Sequence, residues 1–389
     1  MLNRRTFLAS GSLGLLMAGA ARASISEPIV SHIAIDQQRL WIAGSINGSE
    51  PGLFVIDTGA AINLLRPDIA DKLHLIVAGR QRIQGIGRKV ETAAVVGARN
   101  VVLGGSLRQP IVDFQVRQMS DLIPSDAIGL LCAGLVTARD SDLDFDRGEW
   151  RVWPHGRPDR HDYTLVPSSF DGLDQPTSAH RIVVTAFIDG IAYRLMVDTG
   201  APGNVLLFSD AARKSGLFKD DRPFSPFMPT GVGGAAGKLG RMVRAEQFQL
   251  GPITMQRPII GIMDPATSRR SADHDGLLGL SFLQLLNLST DVRLGKLYIQ
   301  RNNRPSLPQR YRASGLWLDR DGNGIRVAAV GTGSPAEQAG IREGDEIVSP
   351  ADFHEALTLA GATPGQAISF GIRRNGETST KDFTVHPYL

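Results

Sequence analysis

The segment Leu53-Phe54-Val55-Ile56-Asp57-Thr58-Gly59-Ala60 recurs later in the chain as Arg194-Leu195-Met196-Val197-Asp198-Thr199-Gly200-Ala201. A strand and a turn precede each copy, with Ile46-Asn47-Gly48 in the first and Ile188-Asp189-Gly190 in the second. An apolar pair follows each, Leu64-Leu65 and Leu206-Leu207. Further on, Gly85-Ile86-Gly87 corresponds to Gly231-Val232-Gly233, and Leu103-Gly104-Gly105 to Leu250-Gly251-Pro252. Gly129-Leu130-Leu131 matches Gly276-Leu277-Leu278, and Asp144-Phe145-Asp146-Arg147-Gly148 matches Asp291-Val292-Arg293-Leu294-Gly295. The spacing is 141 residues from Asp57 to Asp198 and 147 from Gly129 to Gly276, the drift that small loop insertions produce. Landmarks kept in one order across such a distance mark a duplicated domain.

Within each unit the pattern is that of strands. Runs such as Arg181 to Ile188 are rich in β-branched residues, and Gly, Pro, Asn or Asp interrupts them at short intervals. Short helices are expected from Arg66 to Leu75 and from Ser209 to Gly216. The stretch Pro154 to Arg181, rich in Pro, Gly, Ser and Asp, is expected to link the units, and Asn302 to Arg312 to form a second linker. A single Asp-Thr-Gly occurs in many turns. Two copies at equivalent points of a duplicated β unit, each ending an apolar strand, carry far more information.

On these residues the chain resembles the aspartic proteases, most closely the retropepsin-like group, where Asp-Thr-Gly-Ala is common and a Gly-Leu-Leu segment packs behind the aspartate. The resemblance implies a mainly β fold, with two homologous β-barrel lobes related by a pseudo-two-fold axis at about residues 29–157 and 158–304. It implies that Asp57 and Asp198 are the catalytic pair. Two carboxylates held that close cannot both ionise, so they share a proton. One activates water while the other, protonated, polarises the scissile carbonyl. Gly59 and Gly200 permit the tight turn under each acid, and the resemblance implies that Thr58 and Thr199 interlock through hydroxyl bonds to the opposite strand. Pepsin-like enzymes place Ser or Thr where Ala60 and Ala201 stand. Alanine has no hydroxyl to donate to the carboxylate, which raises the expected proton affinity and predicts weakly acidic to near-neutral activity.

The resemblance places flaps at Gly85-Ile86-Gly87 and Gly231-Val232-Gly233, hairpin tips closing over an extended peptide, with an ordinary hairpin turn as the alternative for each. Neither tip carries the tyrosine of pepsin flaps. Cys132 stands where the second unit has Gly279 and is read as a small packing residue.

The stretch from about Arg312 to Leu389 differs in texture. Ser334-Pro335-Ala336 through Ala339-Gly340-Ile341-Arg342-Glu343-Gly344-Asp345 resembles the core of bacterial PDZ domains, small α+β modules assigned here to 312–389. The resemblance places a carboxylate-binding loop at Gly315, Leu316, Trp317 and Leu318, and a groove-lining helix over Pro350 to Ala360. Such a groove takes a ligand peptide as an added strand. The stretch between Ile347 and Pro350 is shorter than in that family, so a module that only packs against the lobes is the alternative.

Residues Met1 to Ala23 combine Arg4-Arg5, a short apolar run and Ala21-Arg22-Ala23. They read as a twin-arginine signal peptide cleaved near Ala23, which implies a periplasmic protein. The 389 residues are 42% apolar and 21% charged, which excludes a disordered chain, a collagen-like chain and a multi-span membrane protein. The net charge of +3 comes from 42 basic and 39 acidic side chains. The signal holds three arginines and no acid, so the mature chain would be neutral and gives no general reason to expect a nucleic-acid partner. No zinc spacing, phosphate loop or Gly-x-Ser-x-Gly elbow is present, and no metal or organic cofactor is implied. Asp319-x-Asp321-x-Asn323-Gly324 begins like a calcium loop but has Val330 at its twelfth position, so a hairpin turn is expected. Together these features predict a monomeric exported aspartic endopeptidase acting on extended protein or peptide substrates. The rival is a non-catalytic periplasmic scaffold that binds peptides through its PDZ domain.

Overall fold

The computed structural model describes residues 27–83, 91–119, 123–171, 180–231, 234–267 and 273–389. It is mainly β, and the sequence repeat reappears as a repeat of strand topology. In the first unit Gly52–Ile56 pairs in parallel with Ala127–Leu131, while Leu64–Leu65 runs antiparallel to that strand and parallel to Leu107–Val116. In the second unit Ile191–Asp198 pairs in parallel with Gly276–Gly279, and Val205–Leu207 runs antiparallel to it and parallel to Ile259–Ile262. The central strands are buried on both faces, which is why Phe54-Val55-Ile56 and Leu195-Met196-Val197 are continuous apolar runs without alternation.

The repeated small residues have steric and conformational causes. Asn47-Gly48 and Asp189-Gly190 occupy turns with positive φ at both positions, a backbone that L side chains other than Asn and Asp resist. Gly129 and Gly276 sit in strands with no room for a side chain. A methyl group there would lie 2.5 Å from the Leu64 carbonyl oxygen and 2.1 Å from that of Leu206.

A third sheet joins the units. Its six strands run in the order Ile29–His32, Glu149–Val152, Ser141–Asp144, Leu286–Asp291, Lys296–Arg301 and Thr164–Val166. The join is antiparallel, with Asp142 opposite Ser289 and Leu143 opposite Leu288. One continuous apolar core accordingly passes through both lobes.

Three expectations are corrected here. The supposed linker Pro154 to Arg181 contains the strands Thr164–Val166 and Ser168–Phe170, paired to Lys296–Arg301 and Ile182–Ile188. They are strands because partners wait for them, and Val166 and Phe170 are buried. The first short helix spans only Pro67–Lys72. His74 takes a left-handed φ of 50°, and the Leu75 and His74 amides bond back to the Ala70 and Asp71 carbonyls, closing the helix. The helix expected from Pro350 begins at Phe353, because the Asp352 side chain caps it by accepting from the Glu355 amide. The second-lobe helix, Ser209–Ser215, ends on Gly216 at φ 66° as its composition suggests.

Residues after Arg310 form a separate antiparallel sheet in the order Leu316–Asp321, Gly324–Val330, Glu346–Ser349, Ala367–Arg374 and Glu377–Thr384, with its own apolar core. The short helix Pro335–Gln338 is capped by Ser334, and Asp321 and Gly324 close a two-residue hairpin turn. Among the described residues no helix is long and apolar enough to cross a membrane. Residues Met1 to Ala23 lie outside the described residues.

Candidate active site

Each acid arrives at the end of a buried strand. The Asp57 amide donates to the Leu131 carbonyl at 2.8 Å, and Asp198 lies in register with Gly279. The two loops then clasp each other across the pseudo-two-fold. Thr58 Oγ1 donates to the Val197 carbonyl at 2.8 Å and accepts from the Thr199 amide at 3.1 Å. Thr199 Oγ1 donates to the Ile56 carbonyl at 2.7 Å and accepts from the Thr58 amide at 3.1 Å. Both threonines are fully buried, so these four bonds satisfy groups that water cannot reach.

The glycines do more than turn. A methyl group on Gly59 would lie 2.5 Å from Asp198 Cγ, and one on Gly200 would lie 2.4 Å from Asp57 Cγ. Each glycine therefore lets the opposite carboxylate close over the loop. Gly59 and Ala60 donate their amides to Asp57 Oδ1 at 2.9 and 3.0 Å. Gly200 and Ala201 do the same for Asp198 Oδ1 at 2.9 and 3.1 Å. The two carboxyl groups are hydrogen-bonded to one another.

Burial pushes both acids above the ordinary carboxylate range. For Asp198 the Asp57 charge and their mutual hydrogen bond push further, while the two loop amides oppose them. For Asp57 the Asp198 hydrogen bond, its own two amides and the Arg39 charge pull back. The pair thus retains one proton that two isolated carboxylates would release. Ala60 and Ala201 contribute amides and no hydroxyls.

Arg39 escaped the sequence reading. It begins the strand Arg39–Ser45, is half-buried, and lies close enough for its charge to act on both Asp57 and Asp198. Also missed were two apolar clusters flanking the pair. Ala60 packs with Trp41, Val55, Leu64, Met119 and Ile123 on one side. Ala201 packs with Met196, Phe208, Ala236, Met263 and Leu277 on the other. The spacing from Met119 to Met263, close to that of the repeat, was the available signal.

The first expected flap tip, Gly85-Ile86-Gly87, lies outside the described residues, as do Val232 and Gly233. Gly231 pairs with Gly234 in a short hairpin, and Ala236 on its return packs in the cluster beside Ala201. Cys132 is buried next to this site, and burial pushes its thiol up to about 11, which suits packing and not nucleophilic attack. Gly315, Leu316, Trp317 and Leu318 stand in the C-terminal sheet. Gly315 has φ 80° and opens the edge strand Leu316–Asp321. Leu316 and Leu318 are buried in that module's own core. Trp317 is half-buried, with the Arg312 guanidinium 4.8 Å from its ring centre.

Among solved structures the chain is similar to a basic 7S globulin from soybean, with 10% identity over 71% of this chain and 95% of that one at TM-score 0.42. It is similar at TM-score 0.41 to conglutin gamma, a basic 7S globulin from lupine seeds, with 10% identity over 71% and 95% of the two chains. It is also similar to an aspartic proteinase from Irpex lacteus, with 14% identity over 70% and 97% at TM-score 0.42. No curated protein sequence matches the chain. A family model described as aspartyl protease matches twice, over residues 42–130 and 184–282, so that each match contains one Asp-Thr-Gly-Ala.

Proposed function

We propose that the protein is an exported aspartic endopeptidase that hydrolyses peptide bonds of extended substrates between Asp57 and Asp198. The observation that carries this reading is the carboxylate pair, clasped by Thr58 and Thr199, with each acid packed over the opposite loop glycine, Gly59 or Gly200. The ionised carboxylate takes a proton from water, whose oxygen attacks the scissile carbonyl. The protonated partner donates to the carbonyl oxygen, giving a neutral tetrahedral diol. Collapse of the diol breaks the C–N bond and transfers a proton to the leaving amine. Thr58, Gly59, Thr199 and Gly200 are support groups, and Gly85 to Gly87 and Gly231 to Gly233 act as flaps. The clusters around Met119 and Met263 offer apolar seats for side chains on either side of the cleaved bond.

The remaining parts of the reading concern the ends of the chain. Residues 1–23 act as a twin-arginine export signal, and the mature monomer works in the periplasm. Residues 312–389 act as a PDZ domain, with the edge strand Leu316–Asp321 available to an added peptide strand for recruitment or regulation. Cleavage of an unfolded protein by the mature chain tests the central part. Cutting between pH 3 and 8 that a statine-type inhibitor blocks supports it. A chain that cuts nothing in that range, yet binds peptides through residues 312–389, is a scaffold and not an enzyme.

A further inference from the structure

The strands Ser225–Phe227 and Gly240–Arg244 pair antiparallel and form the stem of the second-lobe hairpin. That hairpin returns through Ala236, packed beside Ala201 and so beside the Asp198 loop. The C-terminal module holds both strands of the stem. At the entry to the first strand, Tyr388 Oη donates to the Phe224 carbonyl at 2.9 Å and the Phe224 amide donates to the Thr332 carbonyl at 3.3 Å, and on the strand Ser225 Oγ donates to the Arg312 carbonyl at 3.2 Å. On the second, Arg244 donates to the Leu389 carbonyl oxygen at 2.7 Å.

Tyr388 is itself fixed. Its amide and that of Leu389 donate to Tyr311 Oη at 2.9 and 3.2 Å, and the Tyr311 and Tyr388 rings meet edge to face with centres 5.4 Å apart. The fit is tight, because a methyl group on Gly331 would lie 2.0 Å from the Phe224 carbonyl oxygen. The same tyrosine reaches the start of the module's edge strand, since a methyl group on Gly315 would lie 3.2 Å from Tyr388 Oη. Burial keeps the phenol protonated and therefore a donor across the physiological range.

We propose that Tyr388 is a positioning residue for the second-lobe hairpin, holding its stem through Phe224 so that Ala236 stays packed beside the Asp198 loop. Its consequence for turnover rests on the endopeptidase reading. The positioning itself does not. A looser stem lets Ala236 shift from its packing beside Ala201 and so disturbs the apolar seat next to Asp198, which raises KM and leaves the chemical step at the dyad unchanged.

Amide hydrogen exchange on the full mature chain tests this without any activity. In Tyr388→Phe, which keeps the ring and removes the hydroxyl, exchange should speed up about fivefold in peptides covering Ser225–Phe227 and Gly240–Arg244. The strand Ile182–Ile188 in the same sheet should keep its wild-type rate. Arg244→Gln, acting on the other strand of the stem, should do the same. Where cleavage is measurable, Tyr388→Phe should raise KM about fivefold with kcat within about twofold. Wild-type exchange in the stem of both variants overturns the proposal, and so does equal acceleration in Ile182–Ile188, which would mean the lobe as a whole had loosened. A wild-type chain that cuts nothing while the stem responds as described removes the endopeptidase reading and leaves the positioning role standing.

Discussion

Thr58→Val tests the clasp between the lobes with little change in volume. The valine fills the threonine's space, so no cavity forms, but two buried groups lose their partners. The Val197 carbonyl loses a donor at 2.8 Å and the Thr199 amide loses an acceptor at 3.1 Å. Thr58 is 1% exposed and Thr199 0%, so water cannot replace either bond. Each stranded group costs about 1–3 kcal/mol, which places the total for the two at about 2–6 kcal/mol. That is a large share of the roughly 5–15 kcal/mol that usually holds a domain together. Urea unfolding with an unchanged m-value is the assay, since the midpoint then reports stability alone. Thr58→Ser keeps the hydroxyl and should recover most of the loss. Thr199→Val breaks the other two bonds and should cost about as much as Thr58→Val. Because the four bonds form one network, the double variant should cost less than the sum of the singles. A Thr58→Val chain within about 0.5 kcal/mol of wild type would refute the reasoning, because that is the scatter of a neutral surface change.

Gly59→Ala and Gly200→Ala place a methyl group 2.4–2.5 Å from the opposite carboxylate carbon, so each should lower kcat at least about 100-fold while the chain remains folded by circular dichroism. Because folding raises the proton affinity of the acid pair, its contribution to stability is fully present below the unfolded carboxylate value and is lost as pH rises toward the raised one. Asp198→Asn should therefore be more stable than wild type near pH 7, with the gap closing toward pH 4, as thermal unfolding across pH would record. For the same reason, and because Ala60 and Ala201 donate no hydroxyl, the pH–rate profile should peak from weakly acidic to near-neutral values; a strongly acid optimum contradicts that. In the C-terminal module, Asp345 is buried, which alone would raise its proton affinity, yet the hydrogen bonds and charge of Arg374 and the Arg342 amide hold it below the ordinary carboxylate range. Arg374→Met should destabilise that module by about 1–3 kcal/mol at neutral pH, and by less in acid, where the stranded carboxylate can protonate; unfolding titrations at both pH values check this.

The parts of the fold legible in the sequence are those where geometry leaves one choice of residue. Gly129 and Gly276 face a carbonyl oxygen, Gly59 and Gly200 face a carboxylate, and Asn47-Gly48 and Asp189-Gly190 turn through positive φ. Such positions repeat because no other residue fits, so they expose the duplication. The strands Thr164–Val166 and Ser168–Phe170 were hidden because only three residues each are involved and their strand character comes from distant partners. The early end of the first helix depended on His74 adopting a left-handed conformation that composition does not announce. Arg39 was hidden for a related reason. It stands 18 residues before Asp57, and only the folding of its strand against Gly52–Ile56 brings its charge to the acids. The grip of Tyr388 on Phe224 crosses 164 residues and leaves no local pattern at all.

The most direct test compares the mature wild-type chain with Asp57→Asn and Asp198→Asn on one unfolded protein substrate, with fragments identified by mass spectrometry. Either amide removes the shared proton and one of the two roles, so both variants should fold and neither should cut above the no-enzyme background. Cleavage that persists in either variant at a rate near wild type would contradict the assignment of the chemistry to this pair.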